Sequence, residues 1–426
     1  MKSRSAIGVA GRLGLAGLFA AATRLLYDIE AHGLAYDAGA PRTYFAITHK
    51  RDLDALAPVP IILGHRGWAG LAGDVHFAMR ADSFQRGFLA RIVLQPRWFA
   101  RLLRPLGVGP LLRSVGVHPL RDLRQYPGEA RLREILAAEG DPLVGEVLAP
   151  EYLSRLARAG HRDPRWLAAQ SLSELLSWRY HQLLQPYTSA EIFSASARRQ
   201  AERRAAEASK AMLSEQALWL WRGGSLYGAP EGHLSPDGRL SPLSTGFVRV
   251  LSASPRDTRV MPVAIVYDFM TTRRLRIFVD LGPAIERAPE LPRRELDARL
   301  RTGWLRAARF TCTQLASGFL AEAASGVHPR FTTDELAAAV ESKAVALQAA
   351  GRGVDTRLLT PREAHAAARA YLAYAHQRKL VRGVGGKIWE VRPLRPMPPL
   401  PPGGVGYEAA PLVYACHELE EMLAVT

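Results

Sequence analysis

The sequence predicts an α/β protein, with a mixed central sheet flanked by helices and a mainly helical C-terminal extension. Three observations lead to this class. Short, apolar, β-prone runs at 43–48, 75–79, 225–229, 259–267 and 275–281 alternate with longer stretches of helical periodicity, as expected when helices pack on a sheet. Glycine and proline punctuate those runs at 223–224, 228, 230, 236 and 238, where a chain leaving a strand has to turn. After Phe331 the pattern changes to helices with a single hairpin.

Composition bounds the class of molecule. Hydrophobic residues make up 48% of the 426 and charged ones 23%, the balance of a folded chain rather than a disordered one. The length accommodates one large core or two to three domains. The formal net charge is +16, and only six of the 56 basic residues are lysine. One reading of this excess is compositional bias. The other is attraction to an anion: phospholipid headgroups, acyl carrier protein, coenzyme A phosphates or nucleic acid. Two cysteines, Cys312 and Cys416, are too few for a disulfide scaffold and have no metal-binding spacing, so a reducing cytoplasm is expected.

In chain order, Lys2 and Arg4 precede an apolar run, Ile7–Ala22, that imitates a signal peptide but is interrupted by Arg12. The run is short of the ~20 residues a membrane span needs. Residues 1–26 read as an amphipathic helix, either lying in a membrane interface or packed as an ordinary first helix. Residues 43–48 read as a buried strand, and Asp54 opens a helix that Pro58 and Pro60 limit. Strand-like segments follow at 75–79 and 116–120, separated by a loop at 107–110. Residues 122–190 are mainly helical, with breaks at 127–128, 140–142 and 162–164, and form an insertion in a domain spanning 27–325. A long helix runs from Ser196 to about Trp221 and carries Arg198, Arg199, Arg203 and Arg204 on what is most simply a solvated face. A helical pattern covers 293–324. The extension, 331–426, holds helices at 332–349 and 361–377, a glycine-turned hairpin at 380–391, a Pro-rich connector at 395–404 and a last helix at 410–423.

The chemistry starts at His49 and Asp54, five positions apart just after the first strand. A histidine held by a carboxylate is a general base with a fixed tautomer. On one straight helix the two side chains would diverge by about 140°. The pair therefore requires His49 in a loop and Asp54 at the start of the helix.

Four segments in order resemble the glycerolipid acyltransferase family, the PlsC-like enzymes, over roughly Arg24 to Ile285. Thr48-His49-Lys50-Arg51-Asp52-Leu53-Asp54 is similar to the family's N-H-x-S-x-x-D block, and Gly116 to Arg121 to its G-x-x-x-x-R block. Ala229-Pro230-Glu231-Gly232-His233-Leu234-Ser235 resembles F-P-E-G-T-R-S, and Val260-Met261-Pro262 the strand with the last block's proline. The resemblance implies His49 as base, Asp54 as its partner, and Arg121, Glu231 and Gly232 as residues of the acceptor site. Arg121 suits a phosphate through its planar fork. Glu231 would bind an acceptor hydroxyl or hold Arg121, and Gly232 fits a turn needing a permissive backbone. Backbone N–H groups at the start of the Asp54 helix would serve an oxyanion.

The departures bear on the substrate. Thr48 stands for the family's Asn, Arg51 for its Ser, and His233-Leu234 for its Thr-Arg, which removes one phosphate-binding arginine. The spacing from His49 to Glu231 is longer than in typical bacterial members. The tail around Val413 to Leu419 resembles that of larger glycerol-3-phosphate acyltransferases, while the helix-helix-hairpin pattern also suits a winged-helix-like module. Gly64-His65-Arg66-Gly67 and His417-Glu418-Leu419-Glu420-Glu421 start like other enzymes' motifs but lack the residues that complete them.

The expected activity is transfer of a fatty acyl group from acyl-CoA or acyl carrier protein to a hydroxyl of glycerol 3-phosphate, lysophosphatidic acid or a related acceptor, in phospholipid biosynthesis. No permanently bound cofactor or metal is expected. The expected setting is cytoplasmic, peripherally attached to the anionic inner face of the cell membrane, without nucleic acid. The alternatives are another lipid acceptor, such as a lipid-linked sugar or ornithine lipid, and a non-catalytic relative that binds lipid or nucleic acid.

Overall fold

The computed structural model describes residues 27–33, 41–51, 54, 75–80, 117–120, 128–177, 192–326, 329–385, 387–393, 396–398 and 406–425, with isolated positions before 27 and near 107–110. The helices expected over 1–26 and beyond Asp54, and Arg121, therefore fall outside the described residues, those isolated positions apart. The chain forms two compact units, Met1–Phe77 with Gln216–Thr426, and Ala78–Glu215. No described helix is long and apolar enough to cross a membrane.

The larger unit is α/β. Its strands are β1 (Asp28–His32), β2 (Thr43–Ile47), β3 (Val75–Arg80), β5 (Ser225–Gly228), β6 (Arg259–Asp268) and β7 (Arg276–Leu281), while β4 (Val117–Leu120) falls in the smaller unit. The six run in the order β1-β7-β6-β2-β5-β3. Strands β2, β3, β5 and β6 are mutually parallel, β7 is antiparallel to β6, and β1 is parallel to β7. All of β2, β5 and β7 and nearly all of β6 are buried. That explains why they read as continuous apolar runs rather than alternating ones. The carboxyl ends of β2 and β5 therefore share one edge of the sheet, where loops of such sheets carry ligand sites.

Strand β1 escapes sequence reading because Asp28-Ile29-Glu30-Ala31-His32 is polar and only half-buried. Charge holds its end instead. Arg276 on β7, 5% exposed, pairs with Asp28 at 3.2 Å and also with Glu30 and with the buried Asp355.

The smaller unit is helical: α1 (Gly128–Glu139), α2 (Val144–Val147), α3 (Pro150–Ala159), α4 (Pro164–Ala168), α5 (Leu172–Leu175) and the first part of α6 (Ala195–Trp221). Leu132, Val144, Leu148, Tyr152, Leu156, Leu172 and Phe193 make its core. Proline opens α3 and α4, the Asp163 carboxylate accepts Arg165 N–H at 2.7 Å, and Ser171 caps α5. These are the caps that set short helices. The compact unit extends beyond the expected 122–190 segment on both sides.

The rest of the larger unit contains α7 (Thr245–Ser252), α8 (Arg293–Ala307), α9 (Cys312–Ser325), β8 (Arg330–Thr332), α10 (Thr333–Ala349), α11 (Pro361–Gln377), β9 (Val381–Gly385), β10 (Ile388–Val391), α12 (Gly406–Ala409) and α13 (Pro411–Leu423). Helix α7 was not foreseen. The single helical stretch expected over 293–324 is two helices, because Ala308 is extended and Thr311 with Gln314 forms a capping box that starts α9. Strands β8, β10 and β9 form an antiparallel sheet in that order. The succession α9-β8-α10-α11-β9-β10 has winged-helix connectivity. This segment belongs to the compact unit of the large sheet, with α9 packed along α13 and against β6.

Helix α8 lies directly on the centre of the sheet. Trp304, fully buried, donates its indole N–H to the Ala46 carbonyl of β2 at 2.7 Å. One residue earlier, a Cβ on Gly303 would sit 2.6 Å from Pro262 Cγ on β6. A proline ring in a packed strand yields little. Gly303→Ala should therefore lift α8 from the sheet and destabilise the protein by roughly 1–3 kcal/mol, read as a lower urea midpoint; an unchanged midpoint would contradict this packing.

Candidate active site

Strand β2 ends at Ile47, and Thr48–Arg51 lead away from it, with the Asp54 N–H on the Arg51 carbonyl at 3.0 Å. Thr48 secures the entry. Its backbone N–H reaches the Val263 carbonyl at 3.1 Å, and its hydroxyl accepts Ile265 N–H at 2.9 Å. Thr48 thus ties the loop to β6.

His49 is non-helical and Asp54 is in a tight 3-10 turn, and their side chains meet: Nδ1 lies 3.2 Å from Asp54 Oδ2. The histidine side chain is 15% exposed and the aspartate fully buried. The same Oδ2 accepts the Lys50 N–H and, at 2.7 Å, the Arg51 N–H, while Oδ1 accepts the Tyr267 hydroxyl. Burial first, and the Asp54 charge second, push the Tyr267 phenol far above its ordinary range, so it stays protonated as a donor. A buried carboxylate with four donors is well compensated. Because Nδ1 is spent on Asp54, Nε2 is the imidazole nitrogen left for chemistry. The N–H groups of Lys50 and Arg51 are both taken by Asp54. The residues beyond Asp54, where oxyanion donors were expected, lie outside the described residues.

Glu231 follows β5 and is 2% exposed. Its Oε1 accepts the His49 backbone N–H at 3.1 Å and its Oε2 the Ser241 N–H at 2.6 Å. It is a strut between the two loops that flank the site. Gly232 closes the turn, with its N–H on the Ala229 carbonyl at 3.1 Å and φ of 77°. A Cβ there would stand 3.1 Å from the Ser244 side chain. The bond from Ser235 N–H to the His49 carbonyl, 2.8 Å, adds a second tie between the loops. Thus His49, Asp54, Glu231 and Gly232 form one assembly. Arg121 lies outside the described residues.

Besides Tyr267, sequence reasoning missed Lys50 and its partners from the other end of the chain. Lys50, next to the histidine, is buried and forms an ion pair with Glu418 of α13. Glu418 Oε2 also accepts the Gln314 side-chain amide of α9 at 2.9 Å. The same helix grips the loop after Gly232. His417 Nδ1 donates to the Asp237 carbonyl at 2.9 Å, Arg239 pairs with Glu420 at 2.8 Å, and Glu421 accepts Leu240 N–H at 2.7 Å. At Gly238, with φ of 94°, a Cβ would be 2.3 Å from the Tyr414 carbonyl oxygen. The segment around His417 was visible in the sequence as a family-like tail, but nothing local to it reveals which residues it touches.

Burial pushes the Glu231 carboxyl up to about 7, only partly offset by its two N–H bonds and the nearby His49 and Lys50 charges. A carboxyl whose folded pKa is raised favours folding fully below its unfolded value and loses that contribution as pH rises through the folded value. Between pH 4.5 and about 7, wild type should therefore lose stability relative to Glu231→Gln, which does not titrate. Urea unfolding of both proteins across that range measures it, and a constant difference would contradict the raised pKa.

Glu418→Leu should strand the Lys50 charge in the interior and destabilise by roughly 3–5 kcal/mol, whereas Lys50→Met with Glu418→Leu should recover most of the loss. Thermal unfolding of the single and double variants tests this; equal losses would contradict the pair.

No protein-family model and no curated protein matches the chain.

Proposed function

We propose that the protein is an O-acyltransferase of the glycerolipid type, moving a fatty acyl group from acyl-CoA or acyl carrier protein to a hydroxyl of glycerol 3-phosphate, lysophosphatidic acid or a related lipid acceptor. The single observation that carries this reading is the His49 Nδ1–Asp54 contact of 3.2 Å in a loop at the carboxyl end of a parallel strand. It joins the four sequence blocks that resemble the family.

The chemistry requires a base because an alcohol does not ionise at neutral pH. Nε2 of His49 takes the acceptor's hydroxyl proton as its oxygen attacks the thioester carbonyl. The C–O bond forms, the tetrahedral intermediate collapses, and the C–S bond breaks. The departing thiolate takes the proton from the imidazolium. Asp54 keeps Nδ1 protonated and stabilises the transient positive charge, without itself being protonated. Glu231 and the Gly232 turn hold the His49 backbone against the sheet.

A phosphate-free acceptor is the second reading, favoured by Leu234 where the family's third block has arginine. Peripheral attachment to anionic membrane accords with the net charge of +16.

The test is acyl transfer by the purified protein from labelled palmitoyl-CoA and from palmitoyl-acyl carrier protein, with vesicles present. The acceptors are glycerol 3-phosphate, lysophosphatidic acid, other lysophospholipids and an ornithine lipid. Transfer to at least one acceptor is expected, with His49→Ala slower by about 10²–10⁴-fold and Asp54→Asn also impaired. Failure of folded wild type with every donor and acceptor, or full activity of His49→Ala, would overturn the reading.

A further inference from the structure

We propose that Arg51 binds a phosphate group of a substrate, an assignment that rests on the acyltransferase reading for the identity of that substrate. The residue lies two positions after His49, in the loop that Asp54 organises. Its backbone N–H is fixed by Asp54 at 2.7 Å. Its guanidinium is caged by aromatic rings, with the central carbon 3.9 Å from the ring centroid of Tyr407, 4.9 Å from Tyr267 and 5.0 Å from Phe269. Tyr267 is the residue whose hydroxyl holds Asp54. One ring thus braces both the partner of the base and this cation.

Among the described residues, the two cations nearest this loop are spent. Lys50 is consumed by Glu418, and Arg239 by Asp237 and Glu420. Arg51 has no carboxylate partner among the described residues. Aromatic faces attract the flat cation but leave its in-plane donors unspent. A guanidinium carries five such donors, in a fork that fits two oxygens of a phosphate. Stacking therefore holds the group in place at little entropic cost while keeping its edge for a ligand. The sequence adds an independent reason. The third block has Leu234 where a phosphate-binding arginine is expected, and the first block has arginine, at Arg51, where serine is expected. The basic residue missing from one loop is present in the neighbouring one.

Two substrate phosphates have the same chemistry, that of a phosphorylated acceptor and those of coenzyme A. Calorimetric titration of the full chain with glycerol 3-phosphate and with coenzyme A separates them, using wild type, Arg51→Lys and Arg51→Gln. The expected result is a loss of roughly tenfold or more in affinity for one of the two ligands in Arg51→Gln. Arg51→Lys should be intermediate, because it keeps the charge and loses the fork. Loss with glycerol 3-phosphate assigns the site to the acceptor; loss with coenzyme A assigns it to the donor. Tyr407→Leu, which opens the cage and leaves the guanidinium, should weaken the same ligand by a smaller factor, and it serves with Arg51→Lys if Arg51→Gln does not fold. Wild type binding neither ligand, or folded variants binding both as tightly as wild type, would overturn the assignment and leave Arg51 a stacked structural residue. Binding requires no turnover. A wild type that holds phosphate through Arg51 yet transfers no acyl group would therefore sink the acyltransferase reading and keep this one.

Discussion

The structure around the site depends on one buried carboxylate. Asp54 collects a ring nitrogen, two backbone N–H groups and a phenol from residues within one loop and one neighbouring strand. Each of those donors would be costly to bury without a partner, and so would the charge. At Asp54 a single side chain meets all of these demands together. The direction of the imidazole, the backbone of Arg51 and the position of the Tyr267 ring all follow from it.

A second layer fixes where that loop sits. Glu231 reaches from the β5 loop to the His49 backbone, and Glu418 reaches from α13 to the Lys50 side chain. Both carboxylates are buried. They differ in how their charge is met: Glu418 pairs directly with a lysine, whereas Glu231 bonds only to backbone N–H groups, and burial raises its pKa. The winged-helix connectivity of the C-terminal segment does not by itself indicate nucleic-acid binding. Its first helix, α9, supplies Gln314 to the same buried cluster, which makes the segment part of the wall behind the site.

Much of the fold was legible because its strands are buried on both faces and its helices begin at recognisable caps. The runs at 43–48 and 259–267 stood out as continuous apolar stretches, and Pro361 marks the start of α11. What was not legible has physical causes. Strand β1 is a polar edge strand held by Arg276, and such a strand has no apolar signature. The break between α8 and α9 is made by capping rather than by glycine or proline. Within the site, the His49–Asp54 pair could be read from spacing because a loop of five residues is local. Tyr267 and Glu418 could not, since the first is one of many apolar-looking strand residues and the second is brought in only by the tertiary fold.

The Lys50–Glu418 pair spans 368 positions of sequence, and this has a consequence for the order of events during synthesis. Closing so long a segment costs roughly 4 kcal/mol more in chain entropy than closing a loop of about five residues, and contacts so distant form late in folding. On the ribosome, the histidine loop can rest on the early strand β2, but Lys50 remains without its counter-ion until α13 has been made. Throughout that interval the ammonium favours water, because burying it without a partner is costly. Assembly of the site is thereby tied to completion of the C-terminal helix, so partly synthesised chains should not display it in finished form.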